Sequence, residues 1–183
     1  MTPKPSAASR AGGFLLGASV ESAELAAGLG WDFVYAGHFN GDPVSLARTF
    51  EAYARASNNR PPLLALAALA GEDDAAVRAK VAGLRIFRVS LADGRAVNVG
   101  SHEQAASYAR QAGSDTYTVE ERTPGILAGT PERIHAELDA LSRRHGIGEF
   151  ILDIPLAAGA DRLATVELLA RDAGSRAALA AAA

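Results

Sequence analysis

The sequence predicts an α/β protein with about four parallel strands and helices packed outside them. Three observations point there. Short apolar runs alternate with stretches of helical periodicity along most of the chain. The run Leu63 to Ala70 is apolar at nearly every position, as expected of a strand covered on both faces. Turn and cap residues separate the runs: Asp42-Pro43 before one helix, Gly146 after another. With 183 residues, 49% of them hydrophobic and 21% charged, the chain suits one domain of ordinary size.

Taken in order, Gly13 to Ala18 is the first strand, and Glu21 to Leu29 a helix with Leu25, Ala26 and Leu29 on one face. Asp32 to Phe39 is a second strand, rich in β-branched and aromatic residues. Asp42 fits an N-cap and Pro43 the first position of a helix to Ser57, with Leu46, Ala47, Phe50, Tyr53 and Ala54 as its stripe. Asn58 to Pro62 breaks the chain before the third strand. Gly71 to Asp74 then opens a helix whose early acidic residues suit the helix dipole. That helix is expected to reach Leu91, with Val77, Val81, Leu84 and Val89 facing inward.

Residues 92–124 read as an excursion, helical over His102 to Ala112 and irregular over Asp115 to Thr123. Thr130 and Pro131 start the next helix, which carries Ile134, Leu138 and Leu141 inward and stops at Gly146. Phe150 to Pro155 is the last strand, followed by a helix over 160–172 through Leu163, Val166, Leu169 and Ala170. Residues 1–12 read as a mobile leader and 173–183 as a frayed alanine-rich tail, which leaves 13–172 as the folded domain.

Composition excludes several classes. A net charge of −3 without a basic, aromatic-interleaved patch argues against nucleic acid. The absence of cysteine removes disulfides and thiolate metal sites and fits a reducing compartment. The N-terminal stretch lacks a secretory apolar segment, and the longest apolar run, Pro61 to Gly71, is far too short to span a bilayer. A soluble cytoplasmic protein is expected.

Two hydroxyls mark the first turn, Gly17-Ala18-Ser19-Val20-Glu21-Ser22. If Ser19 is the N-cap, the amides of Glu21 and Ser22 are left pointing out of the helix start, where a phosphate would gain them, the hydroxyls and the positive helix end. Ser19 equally serves as an ordinary cap, and Glu21 brings negative charge into the same turn. His38, at the end of the second strand, suits a proton relay or a donor to a ligand, or a ring held by loop backbone. His102, His135 and His145 lack metal-ligand spacing, so no metal is expected. Glu120-Glu121-Arg122 reads as a surface charge cluster. Asp153 sits inside the last strand, facing a catalytic end or pairing with Arg162. No nucleophile–base set and no G-x-G-x-x-G turn follows any strand.

The segments LLGASVESAELAAGLGWDFVYAGHFN, ILAGTPERIHAELDAL and EFILDIPLAAGADRLATVELLA together resemble the C-terminal half of the bacterial luciferase-like flavin-dependent monooxygenases. The resemblance implies a partial (β/α)8 barrel, beginning where the family's fifth strand falls; a full barrel takes roughly 250 residues. It implies reduced FMN and O2 as reactants, an organic substrate, and a flavin reductase as supplier. By position it assigns the flavin phosphate to Gly17, Ala18, Ser19 and Ser22, with Ala18 standing where the family usually has a hydroxyl residue. The family's principal substrate-side histidine and a phosphate-holding arginine belong to the other half. An open half-sheet leaves strand edges and apolar surface to cover, so a homo-oligomer or a complementing half-barrel chain is expected. The alternatives are a non-catalytic half-barrel subunit and the remnant of a split gene.

Overall fold

The structure, a computed structural model, describes residues 12–38, 42–155 and 159–181, with side chains to Gly174. The expected leader up to residue 11 and Phe39, the expected end of the second strand, lie outside these residues. The chain divides into two compact units, one holding residues up to Ala65 together with Ala140–Ile151, the other Leu66–Asp139 with the segment from Leu152 onward.

In the first unit, β1 (Phe14–Gly17) pairs in parallel with β2 (Asp32–Ala36), Leu15 beside Phe33 and Leu16 beside Val34. β2 pairs in parallel with the start of β3 (Leu63–Ala70), Val34 beside Leu63 and Ala36 beside Ala65. Alternation along β2 sends Phe33 and Tyr35 to one face, where their rings meet Tyr53 at 5.6 Å and Phe50 at 5.7 Å from α2 (Pro43–Ser57). Val34, Leu63 and Ala65 pack on the other. α2 starts as its sequence dictates: Asp42 accepts the amides of Val44 and Ser45, both at 3.1 Å, and Pro43 follows in the first turn. It ends at Asn58 in the left-handed conformation, φ 59°. The Tyr53 hydroxyl donates to the Trp31 carbonyl at 3.1 Å, and Arg60 reaches the Gly30 carbonyl at 3.2 Å while stacking over the Tyr53 ring.

α1 (Val20–Leu29) departs from expectation in which face it buries. Ala23 and Ala26 are fully buried along α2, whereas Leu25 and Leu29 are 55% and 50% exposed. Small alanines let the two helices approach closely, and the leucines on the next ridge face outward.

In the second unit, the end of β3 pairs in parallel with β7 (Ile126–Gly129), from Ala67 beside Ile126 to Ala70 beside Gly129. β7 is a strand at residues to which the sequence reading assigned no element. β8 (Glu149–Asp153) also pairs with β3. α3 (Asp74–Ala82) is capped by Asp73, which accepts the Ala76 amide at 2.7 Å.

The expected continuation of α3 to Leu91 is corrected by the structure. The helix stops at Gly83, and Ile86–Leu91 is strand β4, antiparallel to β5 (Ala96–Val99) and β6 (Tyr117–Arg122). β6 falls where an irregular segment was expected. α4 (His102–Gln111), close to its expected span, covers this three-stranded sheet, burying Ala105 and Ala109 against Val89 and Leu91.

α5 (Pro131–His145) buries Ile134 and Leu138 as expected. α6 runs Gly159–Ala181, beyond the expected end at 172, and among its described side chains the buried ones are Thr165 and Leu169. Leu163 and Val166, expected on its stripe, are 58% and 52% exposed. No helix among the described residues is long and apolar enough to cross a membrane.

Candidate functional site

β1 ends at Gly17 and α1 begins at Val20, so the strand delivers Ser19 to the helix start. Ser19 is its N-cap, in extended backbone conformation, and the two serines close a reciprocal box. The Ser22 amide donates to the Ser19 hydroxyl oxygen at 3.3 Å, the Ser19 amide to the Ser22 hydroxyl oxygen at 3.2 Å, and the Ser22 hydroxyl to the Ser19 carbonyl at 2.7 Å. Gly17 is required beside them: a Cβ there would stand 2.6 Å from the Ser22 Cβ. The Ser22 amide, expected to be open to a ligand, is therefore already used.

Glu21 takes up more of the same helix start. Its own backbone amide and the Ser19 side chain hold its carboxyl below the usual carboxylate range, with Arg48 adding attraction. α1 lies along α2, and their N-terminal ends border a cleft of about 470 Å³ lined by Ala18, Ser19, Glu21, Asp42, Ser45 and Arg48, among others. Asp42 is itself committed to capping α2. One guanidinium therefore faces two carboxylates across the cleft.

Gly17, Ala18, Ser19 and Ser22 thus lie together at the α1 start; Ala18 and Ser19 line the cleft, while Gly17, Ser22 and His38 do not. The His38 ring lies 3.5 Å from the Ala65 carbonyl, to which its amide also donates at 3.2 Å. Gly37 before it touches the same carbonyl, which a Cβ would approach to 2.9 Å.

The other candidates scatter. The His102 ring packs tilted against Phe87, with ring centres 4.3 Å apart. His135 Nδ1 stands 2.5 Å from Asp172 Oδ2. His145 lies against Phe50, and burial, with Arg144 nearby, pulls its pKa below the usual 6.5. Glu120 pairs with Arg122, and Glu121 with Arg85. Asp153 is exposed and forms no ion pair with Arg162. Among the described residues no group of three or more histidine and carboxylate side chains is placed to hold a metal ion.

Arg48 is the residue that sequence reasoning missed. Ser45, Arg48 and Thr49 share a face of α2 by their spacing, but nothing in the sequence says that this face borders the α1 start.

No protein-family model matches the chain. It is 34% identical over 172 residues to the N-acetyl-S-alkylcysteine monooxygenase of Bacillus subtilis (strain 168), a match covering 92% of this chain and 51% of that enzyme. The chain is similar in sequence to that monooxygenase, as the luciferase-like resemblance of its segments led one to expect. It spans about half the length of the curated relative it matches. The crystal structure of apo-MsnO8 shares its fold at a TM-score of 0.61, with 22% identity, over 93% of this chain and 53% of that one. The monooxygenase RslO1 from Streptomyces bottropensis gives 0.54, with 17% identity, over 86% and 46%. Parallel strands with flanking helices, the α/β arrangement expected from the sequence, are what the structure has.

Proposed function

We propose that this chain supplies one part of a flavin-dependent monooxygenase site, the cleft at the start of α1 holding the phosphate of FMN. The observation that carries this reading is the α1 start itself: a short parallel strand, a glycine-permitted turn and two serines, beside the guanidinium of Arg48. Hydroxyls and a helix N-terminus suit a phosphate, and Arg48 adds the charge that amides lack. The fit has one condition. The Glu21 carboxylate must turn away, and with Asp42 nearby the cleft supplies too little positive charge for a phosphate dianion. The balance is to come from groups outside this lining.

Flavin in its reduced form supplies the activation of O2 when bound. This chain's residues anchor and orient: Ser19 presents its hydroxyl, Ser22 holds the turn through its bond to the Ser19 carbonyl, Arg48 offsets charge, and Gly17 keeps the turn tight enough for the helix to point at the ligand. The substrate is a small organic molecule, and a separate reductase delivers the reduced flavin. The lack of cysteines suits a cytoplasmic setting.

The rival reading is a non-catalytic subunit, favoured by how fully Ser19, Ser22 and Glu21 satisfy one another. FMN fluorescence separates the two. Titrating the chain with FMN is expected to quench the flavin, and Ser19→Ala with Ser22→Ala to weaken the quenching roughly tenfold or more. No quenching by the wild-type chain, alone or with a complementing partner, favours the subunit.

A further inference from the structure

We propose that Tyr35 is a positioning residue for the phosphate held at the α1 start: its hydroxyl donates to Ser45 Oγ when Ser45 gives its own proton to a phosphate oxygen. The proposal rests on the reading above that this cleft holds the phosphate of FMN, and adds a buried residue that does not itself line the cleft.

Tyr35 stands near the end of β2, and its backbone pairs with Gly17, the glycine that leads into the turn before α1. Its ring meets Phe50 of α2 edge-on, with centres 5.7 Å apart. The side chain is fully buried, yet its hydroxyl has no hydrogen-bond partner among the described residues. Tyr53, in the same aromatic layer, gives its proton to the Trp31 carbonyl at 3.1 Å. Phe33 and Phe50 show that the layer also accepts plain rings. A phenylalanine at position 35 would fill the same space and bring no donor to satisfy, so the unmet hydroxyl calls for a use.

Ser45 is the side chain that bears on it. Burial pushes the Tyr35 phenol above the usual tyrosine range, hydrogen bonding with the Ser45 side chain pulls against that rise, and the Asp42 carboxylate adds to it. The phenol therefore keeps its proton at neutral pH and acts as a donor. Ser45 lines the cleft together with Ser19 and Arg48. Tyr35, Ser45 and the cleft all belong to the first unit.

A serine hydroxyl has one proton and two lone pairs. Once its proton turns to a phosphate oxygen, a lone pair is left to accept from Tyr35. A buried donor without an acceptor costs the fold stability, and an anion that lets it find one recovers that cost as affinity.

Tyr35→Phe should therefore act with opposite signs on folding and on binding. Its urea midpoint is expected to equal or exceed that of the wild-type chain, while FMN, read by fluorescence quenching, binds about tenfold more weakly. Inorganic phosphate, competing with FMN, should weaken by the same factor. Riboflavin, which lacks the phosphate, should respond equally to both chains. Ser45→Ala should lose about as much FMN affinity, and the double variant no more, because the two hydroxyls act in series. A lowered midpoint in Tyr35→Phe overturns the proposal, since the hydroxyl would then be satisfied within the fold. Unchanged FMN affinity, an equal loss for riboflavin, or additive losses with Ser45→Ala overturn it too. In each of those cases the wild-type chain still binds FMN, and the reading of the cleft stands. A wild-type chain that binds neither FMN nor inorganic phosphate overturns both.

Discussion

His135 Nδ1 lies 2.5 Å from Asp172 Oδ2, a contact 17% and 15% exposed that ties α5 to α6. Few other polar contacts of α6 are as sheltered; the Thr165 hydroxyl, donating to the Ala70 carbonyl at 3.3 Å, is one. His135→Ala is expected to cost about 1–3 kcal/mol, the range for removing one partner of a sheltered hydrogen bond. Urea titration of His135→Ala, Asp172→Ala and the double variant checks it, with a coupling energy of about 1 kcal/mol expected between them. Additive losses would show that the contact contributes nothing of its own.

Glu21 competes with any anion for the start of α1. Glu21→Gln keeps the shape of the side chain and removes its charge, so FMN or inorganic phosphate should bind roughly three- to tenfold more tightly. Arg48→Ala should act in the opposite direction by a similar factor. Isothermal titration at low salt reads both, and raised ionic strength should shrink both effects.

Gly17→Ala sets a methyl group against the Ser22 side chain, 2.6 Å from its Cβ. β1 or the first turn of α1 must shift to make room, so a cost of about 1–3 kcal/mol is expected. Calorimetry should show a drop of about 2–4 °C for each kcal/mol in a chain of this size. Gly28→Ala, where a Cβ meets nothing within 4 Å, serves as the control and should stabilise slightly.

His145 gives a pH dependence with a definite sign. Burial holds its pKa below the usual 6.5, so the unfolded chain takes up the proton first as pH falls. Its contribution to stability is complete above 6.5 and is lost as pH drops from there through the folded-state value. The urea midpoint should therefore decline between about pH 7.5 and about pH 5.5, and His145→Gln should flatten that decline. An unchanged slope in the variant would assign the decline to other groups.

Where local chemistry decides, the sequence was readable. Asp42-Pro43 and Asn58 bound α2, Pro131 and Gly146 bound α5, and the uniform Leu63–Ala70 run is β3 residue for residue. Where a neighbour decides, it was not. Leu25 and Leu29 have the right spacing for an inner face, but α2 packs on the alanine ridge instead. Val77, Val81 and Leu84 continue a helical rhythm past Gly83, which hid the period-two pattern of Val89 and Leu91 in β4. At the candidate site, Gly17, Ser19 and Ser22 could be named from their order along the chain. Arg48 could not, because its place beside them is a matter of helix packing.

β3 places only leucine and alanine at its eight buried positions. Alanine surrenders no rotamer freedom on burial, and leucine little, so the strand is ordered at small entropic cost. Side chains this plain also carry little shape information of their own. The distinctive contours in the first unit belong instead to the rings that meet across it: Phe33, Tyr35, Phe50 and Tyr53. Drift in sequence should accordingly be tolerated along β3 so long as volume is kept, and resisted at those four rings.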